Sequence, residues 1–400
     1  MNLKPKLWTK DFLIVSSANF FLFLTFYVLM VTLTIYTIDN FHASQAQAGL
    51  ASSIFVLGAV LVRPIAGKKI DKIGRRKMLL GSLVLFLIAS IGYFLVNGLS
   101  LLLIDRLIHG FAFGLATTAT GTIAADIIPN ERRGEGTGYF AMSTNLAMAF
   151  GPFIGLLITQ HFSYSIIFYA ASLFAAFSLV ASLFMNVPEG EKGASPQKGF
   201  NISDYFEKRA LPISIFIGFA GFTYSSILSY LTSFAKEMDL MDAASFFFVV
   251  FAVFLLASRP FTGRMFDVKG ENAVIYPSLL LFAVGMVILS QSHHGITLLI
   301  AGAFIGVGYG TFQSSCQAIS IKEAPSNRMG LATSTFFTMY DFGIGVGPFL
   351  LGFLIPFTGF KGLFIGMSIF AFILIGIYYL AHGKKASAKK KMQHEKRLSA

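Results

Sequence analysis

The sequence predicts an all-α integral membrane protein with twelve transmembrane helices in two pseudo-symmetric six-helix bundles. Three observations predict this fold class. First, the 400-residue chain is 55% hydrophobic and only 12% charged, whereas a soluble protein carries about 25% charged residues. Second, twelve apolar runs are long enough to cross a bilayer, which takes about 20 helical residues each. Third, the two halves of the chain repeat one another.

The repeat has a constant spacing. The segment R-P-I-A-G-K-K-I-D-K-I-G at 63–74 returns as R-P-F-T-G-R-M-F-D-V-K-G at 259–270, a shift of 259 − 63 = 196 residues. Further downstream, the same shift pairs Pro129 with Pro325, Arg132 with Arg328, Gly134 with Gly330, and Gly151-Pro152 with Gly347-Pro348. Duplicated halves in a membrane chain indicate a transporter that is built around a central pseudo-symmetric site.

Each apolar run is predicted as a helix because backbone polar groups in lipid must be satisfied within the segment itself. In chain order the runs are 12–36, 46–66, 78–97, 100–124, 135–158, 164–186, 210–233, 243–265, 273–291, 297–320, 329–355 and 361–381. The first six belong to an N-terminal bundle over 1–186, and the last six to a C-terminal bundle over 210–382. Residues 187–209 are polar, with Pro, Gly and Ser, and are predicted as a cytoplasmic linker. Residues 383–400 form a basic cytoplasmic tail.

The basic residues set the predicted orientation. With the N-terminus inside, 28 of the 31 Lys and Arg residues fall on the cytoplasmic side, while the outer loops hold only Lys236 and Lys361. Cytoplasmic loops of membrane proteins carry this excess. We therefore expect a multi-pass protein of the cell membrane with both termini in the cytoplasm. The same distribution places the net charge of +12 at the membrane surface and argues against a nucleic-acid partner.

Metal and cofactor chemistry is not indicated. The single cysteine, Cys316, lies in an apolar run, and no Cys or His cluster has metal-ligand spacing. The phosphate-binding loop G-x-x-x-x-G-K-[ST] is missing from the sequence, which argues against an ATP-driven pump. We expect no cofactor, a proton gradient as the energy source, and a monomer whose partners are protons, lipid and a small-molecule substrate.

The repeated segment also carries a motif. G-K-K-I-D-K-I-G-R-R-K, from Gly67 to Lys77, resembles the loop motif of the major facilitator superfamily, G-x-x-x-D-x-x-G-R-K/R. The second copy keeps Gly and Asp but has Glu271 and Asn272 in place of the two arginines. The resemblance implies a loop that acts as a cytoplasmic latch during transport. The residues assigned to it are Gly67, Asp71, Gly74, Arg75, Arg76, Gly263, Asp267 and Gly270.

Two further motifs agree with this family. L-I-D-R-L-I-H-G resembles its R-x-x-Q-G motif, with Arg106 and Gly110 in place and His109 where the motif has Gln. A Gly/Pro pattern in helix five resembles the motif of the drug-and-metabolite:proton antiporters, although Ala147 and Leu156 replace two of its glycines. A Gly/Pro helix can also be only a packing kink. The residues assigned to this motif and its repeat in helix eleven are Gly138, Gly151, Pro152, Gly155, Gly347 and Pro348.

Three ionisable residues inside the predicted spans are candidates for proton coupling, because charged groups in a membrane face a cavity or a partner. Asp341 lies about 16 Å from the start of helix eleven, near the bilayer middle, where a carboxylate could bind a proton reversibly. Its alternative role is a hydrogen-bonded structural one. Arg106 either senses the proton or anchors an anionic substrate, or it is pinned by carbonyls of helix one. Asp105 points about 100° away around the helix and is a weaker candidate.

Polar and aromatic residues of several helices are candidates for lining the substrate cavity. They are Asn19, Tyr27, His109, Asn145, Tyr224, Tyr309, Gln313 and Gln317. Asn145 is the repeat partner of Asp341. Each amide could equally make a hydrogen bond between helices, and in a chain with 45 Phe residues the aromatic side chains could simply pack.

The leading functional hypothesis is secondary active transport, as proton-coupled efflux of a small amphipathic compound, drug or metabolite by alternating access. An alternative within the superfamily is proton-coupled import of an organic anion or other nutrient, which Arg106 leaves open. A sugar importer is disfavoured because the single Trp8 lies outside the spans. An integral membrane enzyme would need a clustered acid/base or metal set, which the sequence does not contain.

Overall fold

The structure is a computed structural model that describes residues 5–129, 132–187, 205–325 and 328–388. These residues form eleven α-helices, each of which contains a stretch long and apolar enough to cross a membrane. The helices are α1 Lys10–Phe41, α2 Gln45–Ile73, α3 Arg75–Gly92, α4 Leu99–Ile127, α5 Arg133–His161, α6 Tyr164–Leu183, α7 Leu211–Glu237, α8 Met241–Lys269, α9 Glu271–Ser290, α10 Gly295–Glu323 and α11 Met329–Tyr378. A 3-10 turn, Tyr93–Leu95, follows α3, and a π-helical turn, Tyr379–Gly383, follows α11.

Helix α11 contains the last two of the twelve predicted spans. At Gly359 the backbone leaves the helical conformation, with φ 64° and ψ 176°, and the helix resumes directly afterwards. The predicted runs at 329–355 and 361–381 lie on either side of this residue. The all-α class is therefore confirmed for the described residues, with the connection between the last two spans reduced to a kink.

The chain divides into two compact units, residues 1–198 and 199–400. We call them the first and second half and describe each by itself. Most of the predicted linker, residues 188–204, and the end of the predicted tail, residues 389–400, lie outside the described residues. The predicted limits of the bundles at 186 and 210 stay predictions.

Single glycines separate α2 from α3 and α8 from α9. Gly74 has φ 95° and Gly270 has φ 86°, a region that side chains with a Cβ rarely enter. These two glycines lie 196 residues apart in the repeated motif. The chain can therefore end one helix and start the next without an intervening loop in both halves.

Close backbone contacts hold the second and fourth helices of each half together. A Cβ placed on Gly110 of α4 would overlap the carbonyl oxygen of Phe55 in α2, and a Cβ on Gly306 of α10 would overlap that of Phe251 in α8. Both residues of the second contact lie 196 positions after those of the first. Small residues allow membrane helices to approach this closely, so the repeat in sequence is also a repeat in packing.

The helix-five motif makes a similar contact with the first helix of its half. A Cβ on Gly151 would lie 2.5 Å from Tyr27 Cβ and 3.3 Å from the carbonyl oxygen of Leu24 in α1. In the second half, a Cβ on Gly347 would overlap Ser225 and lie 3.2 Å from the carbonyl oxygen of Phe222 in α7. The glycines thus have a packing role in both halves.

Ion pairs join helices at what we call the motif end of each half, where α2 meets α3 or α8 meets α9. Arg75 at the start of α3 pairs with Asp126 at the end of α4, with Nε and Oδ2 2.7 Å apart. At the repeat positions, Glu271 pairs with Lys322, with Oε1 and Nζ 2.7 Å apart. The position is kept but the signs are exchanged, so the replacement of Arg75 by Glu271 in the second motif copy is compensated by a lysine.

The repeated arginines after the fourth helix also have corresponding roles. Arg132 donates through Nη1 to the carbonyl oxygen of Pro5, before α1, at 3.2 Å. Arg328, its repeat partner, pairs with Glu207, before α7, with Nε and Oε2 2.7 Å apart. Each arginine therefore holds the segment that leads into the first helix of its own half.

A glycine-to-alanine pair tests the packing contact. We expect Gly110→Ala to destabilise the protein by about 1–3 kcal/mol, because the added methyl overlaps a backbone carbonyl. Gly81→Ala, in α3 where a Cβ meets nothing within 4 Å, should stabilise it by about 0.5–1 kcal/mol through helix propensity. Thermal unfolding of the detergent-solubilised variants measures both, and equal effects of the two substitutions would contradict the close contact.

A charge exchange tests the ion pairs. Arg75→Glu or Asp126→Lys alone should lower stability, and the double variant should recover it, with a coupling of about 1 kcal/mol. The exchanged pair reproduces the second half and places the acidic residue at a helix N-terminus, which the helix dipole favours. Unfolding in a denaturing detergent gives the coupling. A double variant no more stable than the worse single variant would refute the pairing.

Candidate functional site

A buried polar network lies in the first half and is centred on Arg106 of α4. The Arg106 side chain is 0% exposed. Nε donates to the carbonyl oxygen of Ala51 in α2 at 2.9 Å, and Nη1 donates to the hydroxyl of Tyr93 at 3.2 Å. The guanidinium carbon lies 4.3 Å from the ring centroid of Phe55. Arg106 is therefore held by α2 and by the turn after α3, and not by the carbonyls of α1 that the sequence offered as its alternative partners.

His109, one turn further along α4, extends the network. It is fully buried, with Nδ1 2.9 Å from the Tyr93 hydroxyl and Nε2 3.2 Å from the Ser90 hydroxyl. The Ser90 hydroxyl donates to the carbonyl oxygen of Phe86 at 2.8 Å. The rings of Phe86 and Phe55 enclose the imidazole, with centroids 4.2 and 5.3 Å away. His109 thus lies inside the helix bundle of the first half.

Asp105 lies at the edge of this network. It is partly buried and packs against Gly92, where an added Cβ would overlap its Oδ1. Its other oxygen, Oδ2, is buried and makes no hydrogen bond with the described residues. The same is true of Nη2 of Arg106. Two neighbouring residues of opposite charge therefore each keep one buried polar atom without a protein partner in the described part of the chain.

At the corresponding positions, the second half has no equivalent of this network. The repeat positions of Ser90, Tyr93, Arg106 and His109 are Met286, Leu289, Gly302 and Ile305. A Cβ on Gly302 would lie 3.0 Å from the carbonyl oxygen of Phe247, the repeat partner of Ala51, so the helices stay in contact without the arginine. The two halves share a packing scheme, but at these positions only the first half has ionisable side chains.

Asp341, the other principal candidate, lies in the first part of α11 and is partly buried. Twelve residues separate it from the start of that helix, which is about 18 Å along the axis. Its neighbours Tyr340 and Gly343 lie at the contact with α7, where a Cβ on Gly221 would meet the carbonyl oxygen of Tyr340 at 3.0 Å. Asn145, its repeat partner in α5, is also partly buried.

Asn19 joins three helices of the first half. Its amide nitrogen donates to Ser143 at 2.8 Å and to Thr144 at 3.1 Å, both in α5, and its amide oxygen accepts from Thr120 of α4 at 3.1 Å. The residue is buried. Of the two roles that the sequence allowed, this geometry supports the interhelical hydrogen bond.

The remaining cavity candidates are mostly parts of packed aromatic clusters. Tyr27 is buried against Phe26, with centroids 4.9 Å apart. Tyr224 and Tyr309 are fully buried and stacked, with centroids 4.0 Å apart and planes 15° from parallel. Gln313 and Gln317 of α10 are partly buried. The two tyrosines link α7 to α10 within the second half.

Most residues of the latch motif lie at the motif ends. Arg76 donates to the carbonyl oxygen of Leu183 at the end of α6, and Asn272, its repeat partner, donates to that of Gly383 after α11. The second motif copy, with Asn272 in the place of Arg76, thus keeps a side-chain donor to a backbone carbonyl near the end of the last helix of its half. Gly67 and Gly263 have nothing within 4 Å of a built Cβ. The side chains of Asp71 and Asp267, and Gly138 of the helix-five motif, lie outside the part described at side-chain level.

Pro152 and Pro348 lie inside α5 and α11, and the carbonyl of Pro348 accepts a hydrogen bond from the Tyr230 hydroxyl of α7. Gly155, one turn after Gly151, also faces α1, where a Cβ would lie 3.1 Å from the carbonyl oxygen of Val28. The residues of the helix-five motif and of its repeat in α11 therefore lie along the contact with the first helix of each half.

Sequence reasoning missed Tyr93, Ser90 and Thr120, which bind the candidate residues. Nothing in their local sequence distinguishes them from other hydroxyl residues in apolar helices. Their role depends on which helix faces α4. The one available signal was the repeat: Ser90, Tyr93 and His109 all align with apolar residues of the second half.

Comparison with known proteins identifies the fold. The family model described as Major Facilitator Superfamily matches residues 15–348 and 241–400. A similar protein is the multidrug resistance protein MdtL of Shigella flexneri, 25% identical over 89% of this chain and 92% of its own length. Another is the MFS-type transporter MJ1560 of Methanocaldococcus jannaschii, 23% identical over 84% and 89%. Among solved structures, a bacterial homologue of the human lysosomal transporter Spinster superimposes with a TM-score of 0.75 at 14% identity, covering 93% of this chain and 96% of that one.

The hydrogen bonds of Asn19 give a prediction that separates structure from substrate binding. Asn19→Leu should lower stability by about 1 kcal/mol, the range of interhelical hydrogen bonds in membranes, and leave the KM for transport within about twofold of its original value. Asn40→Leu is the matched control, because Asn40 is an exposed amide of the same helix that donates to the carbonyl oxygen of Tyr36 within α1. A normal stability together with a large change in KM for Asn19→Leu would show that Asn19 contacts the substrate.

Proposed function

The chain belongs to the major facilitator superfamily, and from that premise we propose that it exports a small amphipathic compound in exchange for protons. Membership makes the chain a multi-pass membrane transporter and not an enzyme. The direction, the coupling ion and the substrate class belong to the proposal. The relationship to a multidrug resistance protein at 25% identity supports export of a drug or metabolite.

The observation that carries the proposal is the placement of ionisable residues in apolar helices. Arg106, Asp105 and His109 lie together in α4, and Asp341 lies about 18 Å along α11. Groups of this kind inside a membrane protein are costly and mark proton or substrate pathways. Among the described residues no group of three His, Cys, Asp or Glu is arranged to hold a metal. We infer that Asp341 binds the transported proton and that Arg106 acts in the same cycle.

The orientation is part of the proposal. The Lys and Arg residues that the sequence places inside include Arg75, Arg132, Lys322 and Arg328, all of which lie at the motif ends. The positive-inside rule then puts these ends, and both termini, in the cytoplasm of a cell membrane. Protonation of Asp341 would favour one state of an alternating-access cycle, and the substrate would favour the other.

Import of an organic anion is the second candidate, and it rests on Arg106. The guanidinium makes no ion pair among the described residues, so its charge is available to an anion if the first half opens. Against this, the side chain is fully buried and its Nε and Nη1 are already engaged.

Vesicles with an imposed pH gradient decide between the two candidates. In inside-out vesicles with an acidic interior, we expect uptake of lipophilic dyes such as ethidium, which collapses when a protonophore dissipates the gradient. Uptake of organic acids into right-side-out vesicles that are acidic outside, with no dye movement in the inside-out preparation, would instead establish import.

The proton-binding role of Asp341 gives a further prediction. Asp341→Asn should abolish dye uptake driven by pH but retain exchange of labelled for unlabelled substrate, because the amide cannot bind and release a proton. Asp239→Asn is the control: Asp239 is exposed and has φ 57°, a conformation that Asn also tolerates. Unchanged proton-driven uptake in Asp341→Asn would remove this residue from the coupling mechanism.

A further inference from the structure

The chain of hydrogen bonds around Arg106 begins at a group that can only donate and ends at a group that can only accept. At one end, the guanidinium can only donate, and Nη1 donates to the Tyr93 hydroxyl. At the other end, the carbonyl of Phe86 can only accept, and it accepts from the Ser90 hydroxyl. His109 lies between Tyr93 and Ser90. The state of its imidazole therefore follows from the groups on either side.

The donors can be assigned in order along the chain. The Tyr93 oxygen accepts from Arg106, and the other partner of its hydroxyl among the described residues is Nδ1 of His109, 2.9 Å away, so its single O–H is directed there. Nδ1 then carries no hydrogen, and the hydrogen of the neutral ring is on Nε2. Nε2–H donates to the Ser90 hydroxyl at 3.2 Å, whose own hydrogen goes to Phe86. Each of these bonds has one donor and one acceptor when His109 is the neutral Nε2–H tautomer.

A protonated His109 is incompatible with this order. Both ring nitrogens would donate, and Nδ1–H would point at a Tyr93 oxygen that already accepts from Arg106. The Tyr93 O–H would then need another acceptor, and among the described residues its hydrogen-bond partners are Arg106 and His109. Two positive side chains one helical turn apart would also share an apolar site. Proton uptake on His109 therefore leaves the Tyr93 O–H without its acceptor and competes with the bond from Arg106 to Tyr93.

Within the described residues, the surroundings supply no other group that would take this role. The titratable and charged neighbours are Arg106 and Asp105 on α4 and Tyr93 after α3. Helix α2 presents the ring of Phe55, and α6 presents that of Phe168, stacked 5.1 Å from Tyr93. Asp105 contacts Gly92 and makes no hydrogen bond to the imidazole. The Tyr93 hydroxyl is thus the link between His109 and Arg106.

The second half shows that helix packing does not require this network. The contact of Gly306 with Phe251 repeats that of Gly110 with Phe55, yet Ile305 and Leu289 occupy the positions of His109 and Tyr93. A buried polar network that packing does not need carries a cost in stability. Its presence in the first half alone points to a role in transport.

We infer that His109 is a positioning residue for Arg106. As the neutral Nε2–H tautomer, His109 keeps Arg106 bonded to Tyr93. When His109 binds a proton, it releases Arg106 from Tyr93. The proton adds to the lone pair of Nδ1, and the Tyr93 O–H rotates away. The bond from Nη1 of Arg106 to Tyr93 breaks. Nη1 and Nη2 are then both without a partner within the described residues. The role of His109 in transport rests on the proposed proton coupling. The assignment of donors and acceptors along the hydrogen bonds does not.

The tautomer can be measured directly. In protein labelled with ¹⁵N-histidine and reconstituted in lipid, solid-state NMR resolves the two ring nitrogens, and His109→Gln identifies the resonances that belong to His109. At alkaline pH we expect a single Nε2–H form. In Tyr93→Phe the directing hydroxyl is gone, and a mixture of both tautomers should appear. A Nδ1–H form or an imidazolium at alkaline pH in the unmodified protein would overturn the inference.

Transport assays supply the functional arm. His109→Gln keeps an acceptor oxygen and an amide donor but cannot take up a proton; it should retain at least about half of the alkaline-pH transport rate and lose the pH response. His109→Ile, which copies the second half, should lose transport at every pH because Tyr93 has no acceptor. His161→Gln, at the exposed end of α5, is the control. A pH profile of His109→Gln identical to that of the unmodified protein would refute the role in transport.

The two proposals fail in different ways. If no imposed pH gradient drives transport in the unmodified protein, the proposed function fails, and the NMR result still decides the hydrogen-bond order. If proton-driven transport depends on Asp341 but not on His109, the proposed function stands and this inference falls.

Discussion

The structure depends on the close approach of helix backbones at small residues. Within each half, α2 touches α4, or α8 touches α10, through a glycine laid against a carbonyl oxygen. The same arrangement joins the fifth or eleventh helix to the first or seventh. In lipid, where apolar side chains gain little by leaving their solvent, such contacts and interhelical hydrogen bonds are the main sources of helix association. The glycine contacts recur at the 196-residue spacing, which explains why these glycines remain recognisable while the intervening residues have diverged.

On this common frame the halves have different polar chemistry. The first half buries an arginine, a histidine, a tyrosine and a serine in one hydrogen-bonded chain, whereas the second half has glycine and apolar residues there. The second half instead places Asp341 in α11, where the first half has Asn145. Arg106 and His109 therefore belong to one half and Asp341 to the other, and each has a neutral residue at its repeat position. Such a division suits a cycle in which protonation affects the two bundles differently.

Much of the fold could be predicted from the sequence because the repeat and the apolar runs are physical constraints on a membrane chain. The helices and the one-residue turns at Gly74 and Gly270 follow from run length and glycine placement. The contacts of the candidate residues could not be predicted. From the sequence, Asn19 was compatible with lining a cavity or with an interhelical hydrogen bond. Only the positions of the neighbouring helices show that it makes hydrogen bonds with Ser143, Thr144 and Thr120. Arg106 could be placed in a helix, but the choice of α2 over α1 as its partner depends on how the helices pack.

The central claim is that the protein links binding of the transported compound to binding of protons. The most direct test follows the pH of a weakly buffered solution of the purified protein. Compounds that the vesicle assay identifies as substrates are added one at a time. The account predicts that each substrate releases protons in proportion to the protein bound, and that a compound which is not transported releases none. Binding of a transported compound without any release of protons would contradict it.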